Sequence, residues 1–192
     1  MTRARMTSLL TIWMILLATL TTFGQRLTIP WAQDVKLTWD DFQGPIDPAS
    51  SFAAYTNAQM NYVIKTAPDG APTLYILCTF RKNFSWKNPE KLKQVDDKPY
   101  LLNHEQGHFD LEEVITRRMR KEFADYCAAH KKSPTFNTDI EQIFKKLTTA
   151  SQALQDQYDN ETNHSKNKAK QEEWNKKIAA MLTELNQYAR KL

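Results

Sequence analysis

The chain has 192 residues, of which 41% are apolar and 11% aromatic, so it can build a sizeable core and is not a disordered protein. Only four glycines argue against a turn-dense β-sandwich, and a formal charge of +4 is too balanced to indicate a nucleic-acid-binding protein. This length predicts one domain, with or without an appended helical segment.

Residues 1–24 have the three parts of a secretory signal peptide. Two arginines form a basic start, the apolar run Leu9–Leu20 follows, and Thr22 and Gly24 supply small residues for cleavage. The apolar run is shorter than the ~20 residues that a membrane-spanning helix needs. We therefore expect residues 25–192 to be secreted or periplasmic and to keep no stable membrane span, with an uncleaved anchor as the alternative.

Residues 26–99 have the hydrophobic alternation of β-strands. The apolar or alternating runs are Leu27–Trp31, Val35–Trp39, 58–64 and 74–80. Asp69 and Gly70 lie between the last two runs, and this pair between alternating runs predicts a β-hairpin. Residues 82–99 lose the alternation and contain two X-Pro pairs, so they are predicted to be a connector.

Residues 100–192 have the period of helices instead. The predicted helices run from Tyr100 to His130, from the capping box Thr138–Glu141 to a break at Asp159, and from about Trp174 to Tyr188. The fold class predicted for residues 25–192 is α+β: a small antiparallel sheet is followed by a long helix, an antiparallel helical hairpin and a C-terminal helix. Export would allow a disulfide between Cys78 and Cys127, and two buried free thiols are the equal alternative.

The motif His104-Glu105-Gln106-Gly107-His108 lies in the first of these helices. Residues i and i+4 share one face of a helix, so the two imidazoles can hold one Zn²⁺ while the glutamate between them faces a water. The alternative is a helix with two histidines that are exposed or satisfied in the core.

A catalytic zinc site needs a third protein ligand, and the other two histidines are His130 and His164. His130 lies 22 residues beyond His108 on the same predicted helix, roughly 33 Å along its axis, and is excluded. The second helix returns by about the same length, so the hairpin brings residues near His164 back to the level of His108. We predict His164 as the third ligand. Asp159 and Glu161 are the alternatives, either as an oxygen ligand of the metal or as a hydrogen-bond partner of a residue that binds it.

Four stretches carry a family resemblance: Leu37–Gly44 (LTWDDFQG), Ala54–Thr56 (AYT), His104–Asp110 (HEQGHFD), and Tyr158–His164 (YDNETNH) with Gln171 and Trp174 after it. In these stretches the chain resembles a bacterial family of predicted secreted zinc-dependent proteases, long classed as a domain of unknown function. The resemblance implies a zincin-like fold and export. It implies the HExxH roles for His104, Glu105 and His108, and a further histidine at His164. Ser165 departs from the pattern, since glycine is expected there.

The expected function is that of an exported zinc metallopeptidase acting on a peptide or protein. Zn²⁺ held by His104, His108 and His164 would activate a water, with Glu105 as general base. Tyr158 is a candidate oxyanion donor or, alternatively, a core tyrosine. Two other functions stay open: an exported metal-stabilised binding or structural module without activity, and hydrolysis of a non-peptide amide.

Overall fold

The described part of the chain consists of residues 27–68, 70–130 and 133–189 of a computed structural model. The predicted signal peptide, residues 1–24, lies outside the described residues. The strands are β1 (Thr28–Pro30), β2 (Ala54–Tyr55), β3 (Ala58–Thr66), β4 (Pro72–Arg81) and β5 (Trp86–Lys87). The helices are α1 (Pro89–Lys93), α2 (Lys98–Ala129), α3 (Phe136–Thr162) and α4 (Lys168–Glu184), with single 3-10 turns at Trp39–Asp41 and Asn186–Tyr188. The α+β prediction is confirmed.

The predicted hairpin is present as β3 and β4, which pair antiparallel from Ala58 opposite Phe80 to Thr66 opposite Pro72. Gly70, in the connecting turn, has a φ of +82°, which glycine adopts without strain. β1 pairs with the far end of β4 and completes a sheet of order β1-β4-β3, while β2 and β5 form a separate two-stranded ribbon. Only Thr56 and Asn57 separate β2 from β3 along the chain.

Helix α2 is the element against which the others pack. It begins where Asp97 accepts a hydrogen bond from the Tyr100 N–H, with Pro99 in its first turn. It contacts the β3–β4 hairpin, α3 and α4. The buried side chains between α2, α3 and the hairpin are Met60, Ile76, Ile115, Met119, Ile140 and Leu147. Among the described residues, no helix has the length and apolar character needed to cross a membrane.

The run Val35–Trp39, predicted as a strand, is not one. The Leu37 N–H donates to Oε1 of Gln106 on α2, and a 3-10 turn begins at Trp39. Leu37 is buried, so the alternation reflects packing against α2 rather than pairing in a sheet. Neither Cys78 nor Cys127 forms a disulfide: Cys78 is a buried free thiol and Cys127 a partly buried one, which matches the free-thiol alternative.

The structure also differs from the prediction in the connector, residues 82–99, and in the second helix of the helical hairpin. The predicted connector contains β5 and α1, and Asn88 caps α1 by accepting hydrogen bonds from the N–H groups of Glu90 and Lys91. Helix α3 begins at Phe136, ahead of the predicted capping box, and continues to Thr162 rather than breaking at Asp159. This longer helix changes which residue faces the two histidines.

Candidate metal centre

Two histidines of α2 and one aspartate of α3 bring three ligand atoms together. His104 and His108 are one helical turn apart, and Asp159 lies opposite them in the last turn of α3. Nε2 of His104 and Nε2 of His108 are 3.3 Å apart, and each is 3.1 Å from Oδ1 of Asp159. All three atoms lie within 4.8 Å of one another, so these residues could hold one metal ion.

The other ring nitrogens of the two histidines face amide oxygens. Nδ1 of His104 is 2.9 Å from Oε1 of Gln171, and Nδ1 of His108 is 2.6 Å from Oε1 of Gln155. An amide oxygen only accepts hydrogen bonds, so each Nδ1 carries a proton and each Nε2 of the neutral ring presents a lone pair. Two lone pairs and the carboxylate oxygen of Asp159 then meet, and they repel one another unless a cation lies between them. This donor set fits a divalent metal.

The charges around the cluster also favour a cation. Burial alone raises the pKa of Asp159, but hydrogen bonds from the His104 and His108 rings, when their Nε2 atoms carry a proton, outweigh it and hold that pKa well below its ordinary value. Burial lowers the pKa of His108, whereas Asp159 and Glu105 raise it, and the net shift of the pKa is upward. Asp159 therefore stays ionised, and the cluster attracts positive charge.

Glu105 lies in the same cleft, and only one oxygen of its carboxylate is held. Oε2 accepts a hydrogen bond of 2.7 Å from the hydroxyl of Thr56, the residue after β2. Within the described residues, Oε1 of Glu105 accepts no hydrogen bond. The cleft has a volume of about 1240 Å³, and His104, His108 and Asp159 line it as well. One carboxylate oxygen is thus left for a water or a proton.

His164, the third ligand predicted from the sequence, lies at the edge of this cluster. Its Nδ1 is 3.5 Å from Oδ1 of Asp159, and its ring centroid is 4.5 Å from that of Phe52. It follows the end of α3 in a run of three left-handed residues, Asn163 (φ 48°), His164 (φ 48°) and Ser165 (φ 70°). Asp159, an alternative in the sequence analysis, is the residue that joins the two histidines. His164 as a ligand stays a prediction.

The other candidates considered from the sequence have partners elsewhere. His130 follows the end of α2, where its Nδ1 is 3.2 Å from the Tyr126 carbonyl oxygen, and it is not part of the cluster. Glu161 accepts hydrogen bonds of 2.9 Å from Nε1 of Trp174 and 2.7 Å from Nε2 of Gln157. These contacts account for both residues without a metal.

Tyr158 is fully buried beside His104, and its hydroxyl is committed within the core. The hydroxyl donates to the His104 carbonyl at 3.1 Å and accepts from Nε2 of Gln171 at 2.6 Å. The phenol and imidazole rings stack with centroids 4.7 Å apart. Burial raises the pKa of Tyr158 well above its ordinary value. This geometry favours the core-tyrosine alternative over an oxyanion donor.

Sequence reasoning assigned no role to Thr56, Gln155 or Gln171. Thr56 and Gln171 belong to the stretches that carry the family resemblance, but nothing in the pattern indicates which atoms they contact. Gln155 precedes Asp159 by four residues, so both lie on one face of α3. That spacing is the signal that could have found Gln155, and it requires knowing that the helix continues through Asp159.

Residues 34–165 match the family described as bacterial protein of unknown function (DUF922). The matched range includes the HExxH motif, Thr56, Asp159 and His164, and the description names no activity. No curated protein and no solved structure matches the chain. Because the match covers more than half of the sequence, the chain belongs to the DUF922 family of bacterial proteins.

Proposed function

We propose that the chain is an exported zinc-dependent metallopeptidase in which His104, His108 and Asp159 bind the metal and Glu105 is the general base. The observation that carries the proposal is the convergence of two Nε2 lone pairs and a carboxylate oxygen beside Glu105 in one cleft. When bound, Zn²⁺ would lower the pKa of a water to ~7 and polarise the scissile carbonyl. The export part of the proposal rests on the signal-like residues 1–24.

The contact between Thr56 and Glu105 supports the role of Glu105. The Thr56 hydroxyl occupies Oε2, so the carboxylate is fixed in rotation while Oε1 remains open to the cleft. A general base must keep one oxygen within reach of the proton that it takes and later returns to the leaving amine. Thr56 thus orients Glu105 for proton transfer without competing for its free oxygen.

The outer edge of β3 supports a peptide as the substrate. Ala58 and Met60 line the cleft, and in the described part of the chain β3 pairs with a strand, β4, on one edge only. The Met60 N–H donates to Oε1 of Glu112 at 2.8 Å, so the polar groups of Met60 point away from β4. Ala58 lies two residues before Met60 in the same strand, so its N–H and C=O also point away from β4. They face the cleft, where an extended chain can pair with them.

Glu105 also distinguishes this proposal from its rivals. Two histidines and one carboxylate bind Fe(II) in oxygenases, but that chemistry does not need a carboxylate base between the histidines. A structural zinc site has no use for a glutamate with a free oxygen in the cleft. Hydrolysis uses both the metal-binding cluster and the free carboxylate oxygen of Glu105. We therefore prefer hydrolysis to an oxygenase reaction and to the binding or structural module.

Glu105→Gln tests the proposed reaction. Zinc content of the purified variant should equal that of the unchanged protein, while hydrolysis of a proteome-derived peptide library should fall about 100-fold or more. Glu141→Gln, an exposed position on α3, is the matched control and should leave both measurements unchanged. A zinc-loaded protein that cleaves no peptide would support the structural module, and full activity in Glu105→Gln would remove Glu105 from the base role.

The ligand set is tested by comparing Asp159→Asn with His164→Ala. Asp159→Asn should lower the zinc stoichiometry, because it removes the charged oxygen nearest both Nε2 atoms. His164→Ala should retain zinc, because its ring lies beside Asp159 rather than between the two histidines. The reverse result would assign the third position to His164, as the sequence predicts. Circular dichroism of both variants would check that they are folded.

A further inference from the structure

We propose that Gln155 and Gln171 are positioning residues for the metal centre, one for each histidine of the motif. This inference rests on the proposed function. Nδ1 of His108 is 2.6 Å from Oε1 of Gln155, and Nδ1 of His104 is 2.9 Å from Oε1 of Gln171. The two glutamines belong to different helices, α3 and α4, so three helices contribute to the orientation of two rings.

Each glutamine is fixed by a second contact that determines which end of its amide faces the histidine. Nε2 of Gln155 donates to the carbonyl oxygen of His108 itself at 3.0 Å, so Oε1 is directed at the ring of the same residue. Nε2 of Gln171 donates to the Tyr158 hydroxyl at 2.6 Å and to Oδ1 of Asn175 at 3.0 Å. Both amides are therefore held with the oxygen toward Nδ1, and the proton on Nδ1 follows from that orientation.

Hydrogen bonds link Tyr158, Gln171 and His104 in a closed network. The Tyr158 hydroxyl accepts from Gln171 and donates to the His104 carbonyl oxygen at 3.1 Å, while Gln171 in turn accepts from the His104 ring. Gln171 is fully buried, and every polar atom of its side chain has a partner. These hydrogen bonds fix the rotation of the Gln171 amide and keep its oxygen toward Nδ1 of His104. The His104 ring is therefore oriented before any metal binds.

Both partners are uncharged, which matters for the strength of metal binding. Histidine ligands often donate to a carboxylate, and a negative partner makes the imidazole a more basic ligand. Amide partners orient the ring without adding this charge. The carboxylates nearest the two rings are then those of Asp159 and Glu105, and neither ring has a charged partner at its Nδ1. We infer that the glutamines supply orientation and leave the charge of the centre to Asp159 and Glu105.

The test uses Gln155, because it is only partly buried and its replacement is less disruptive than that of Gln171. In a competition titration of Zn²⁺ against a chromophoric chelator, Gln155→Ala should weaken zinc binding about 10–100-fold. Gln155→Glu keeps the acceptor oxygen for Nδ1 but loses the donor to the His108 carbonyl oxygen, so it should recover part of the affinity that Gln155→Ala loses. Gln152→Ala, on the same helix and in the same cleft, is the matched control and should change the affinity less than twofold.

Two further readouts separate positioning from general destabilisation. The thermal unfolding midpoints of metal-free Gln155→Ala and Gln152→Ala should agree, whereas the visible absorption of bound Co²⁺ should change in Gln155→Ala alone. Unchanged zinc affinity in Gln155→Ala, with stoichiometric binding by the unchanged protein, would overturn this inference and leave the proposed function standing. Failure of the unchanged protein to bind zinc or cobalt would overturn both.

Discussion

At the residue scale, position 107 between the two histidines has room for a hydrogen atom but not for a methyl group. A Cβ at Gly107 would lie 2.2 Å from Oη of Tyr158 and 2.8 Å from its Cζ. Tyr158 is fully buried and its hydroxyl makes two hydrogen bonds, so moving the ring breaks contacts with both His104 and Gln171. Gly107 therefore permits the close approach of α2 and α3 that brings Asp159 to the histidines.

Gly107→Ala should lower the free energy of unfolding by about 1–2 kcal/mol. Overpacking a core costs about 1–3 kcal/mol, and a contact of 2.2 Å corresponds to the upper part of that range, about 2–3 kcal/mol. Alanine gains roughly 1 kcal/mol over glycine within a helix, which offsets part of this cost. Urea unfolding of the metal-free protein measures the difference. In a Tyr158→Phe background the same substitution should cost less, because the nearest atom is gone. A Gly107→Ala variant as stable as the unchanged protein would contradict the close approach.

At the scale of elements, the turn between α3 and α4 has an unusual backbone. Asn163, His164 and Ser165 all have positive φ, although each has a side chain and such residues pay about 1–2 kcal/mol in the left-handed region. The turn folds back so that the His164 N–H donates to the Asp159 carbonyl oxygen at 2.9 Å. Strain of this kind is concentrated at functional sites, and here it keeps His164 beside the candidate metal ligand.

Ser165→Gly should raise the free energy of unfolding by about 1 kcal/mol, because glycine adopts a φ of 70° without steric cost. The measurement is urea unfolding with a chelator present, so that metal binding does not contribute. Ser51→Gly is the matched control, since Ser51 is exposed and has no positive φ. It should be neutral or slightly destabilising. A loss of stability in Ser165→Gly would show that the serine side chain stabilises the turn.

The helical hairpin could be predicted from the sequence because its signals are local. The apolar period and Pro99 place the first helix at 100–130, and α2 is Lys98–Ala129. Segments whose conformation depends on contacts with distant parts of the chain could not be predicted from such local signals. The alternation at Val35–Trp39 comes from Leu37 packing on α2, and no feature of that short run separates a buried coil from a strand. Asn88 and Pro89 are typical of the connector predicted for residues 82–99, yet here Asn88 caps α1 and Pro89 begins it.

The location of the candidate site could also be predicted, but which of the returning residues lies nearest to the two histidines could not. The rise of a helix fixes the level to which α3 returns, and this brings residues 159–164 to His108. Which residue faces the histidines depends on where α3 ends. Because the helix continues to Thr162, Asp159 stays on the face that carries Gln155, while His164 falls beyond the helix end. A helix terminus is the least reliable feature of a sequence prediction.

At the scale of the whole molecule, the cluster joins α2 and α3 at the end of the hairpin farthest from their connection. His104 lies near the start of α2 and Asp159 near the end of α3, so the chain between them is 54 residues long. Gln171 connects α4 to the same point through His104. Unfolding separates all of these groups, so an ion bound by the cluster stabilises the fold as a unit.

Zinc should therefore raise the thermal unfolding midpoint of the protein. Free Zn²⁺ at 100 times its dissociation constant adds about 2.7 kcal/mol to the free energy of unfolding, which corresponds to a rise of about 5–10 °C for a chain of this size. Differential scanning calorimetry with zinc and then with a chelator measures the shift. Glu105→Gln should keep the shift, because Glu105 is outside the ligand set, and Asp159→Asn should lose most of it. A shift in Asp159→Asn equal to that of the unchanged protein would mean that the stabilising ion binds elsewhere on the chain.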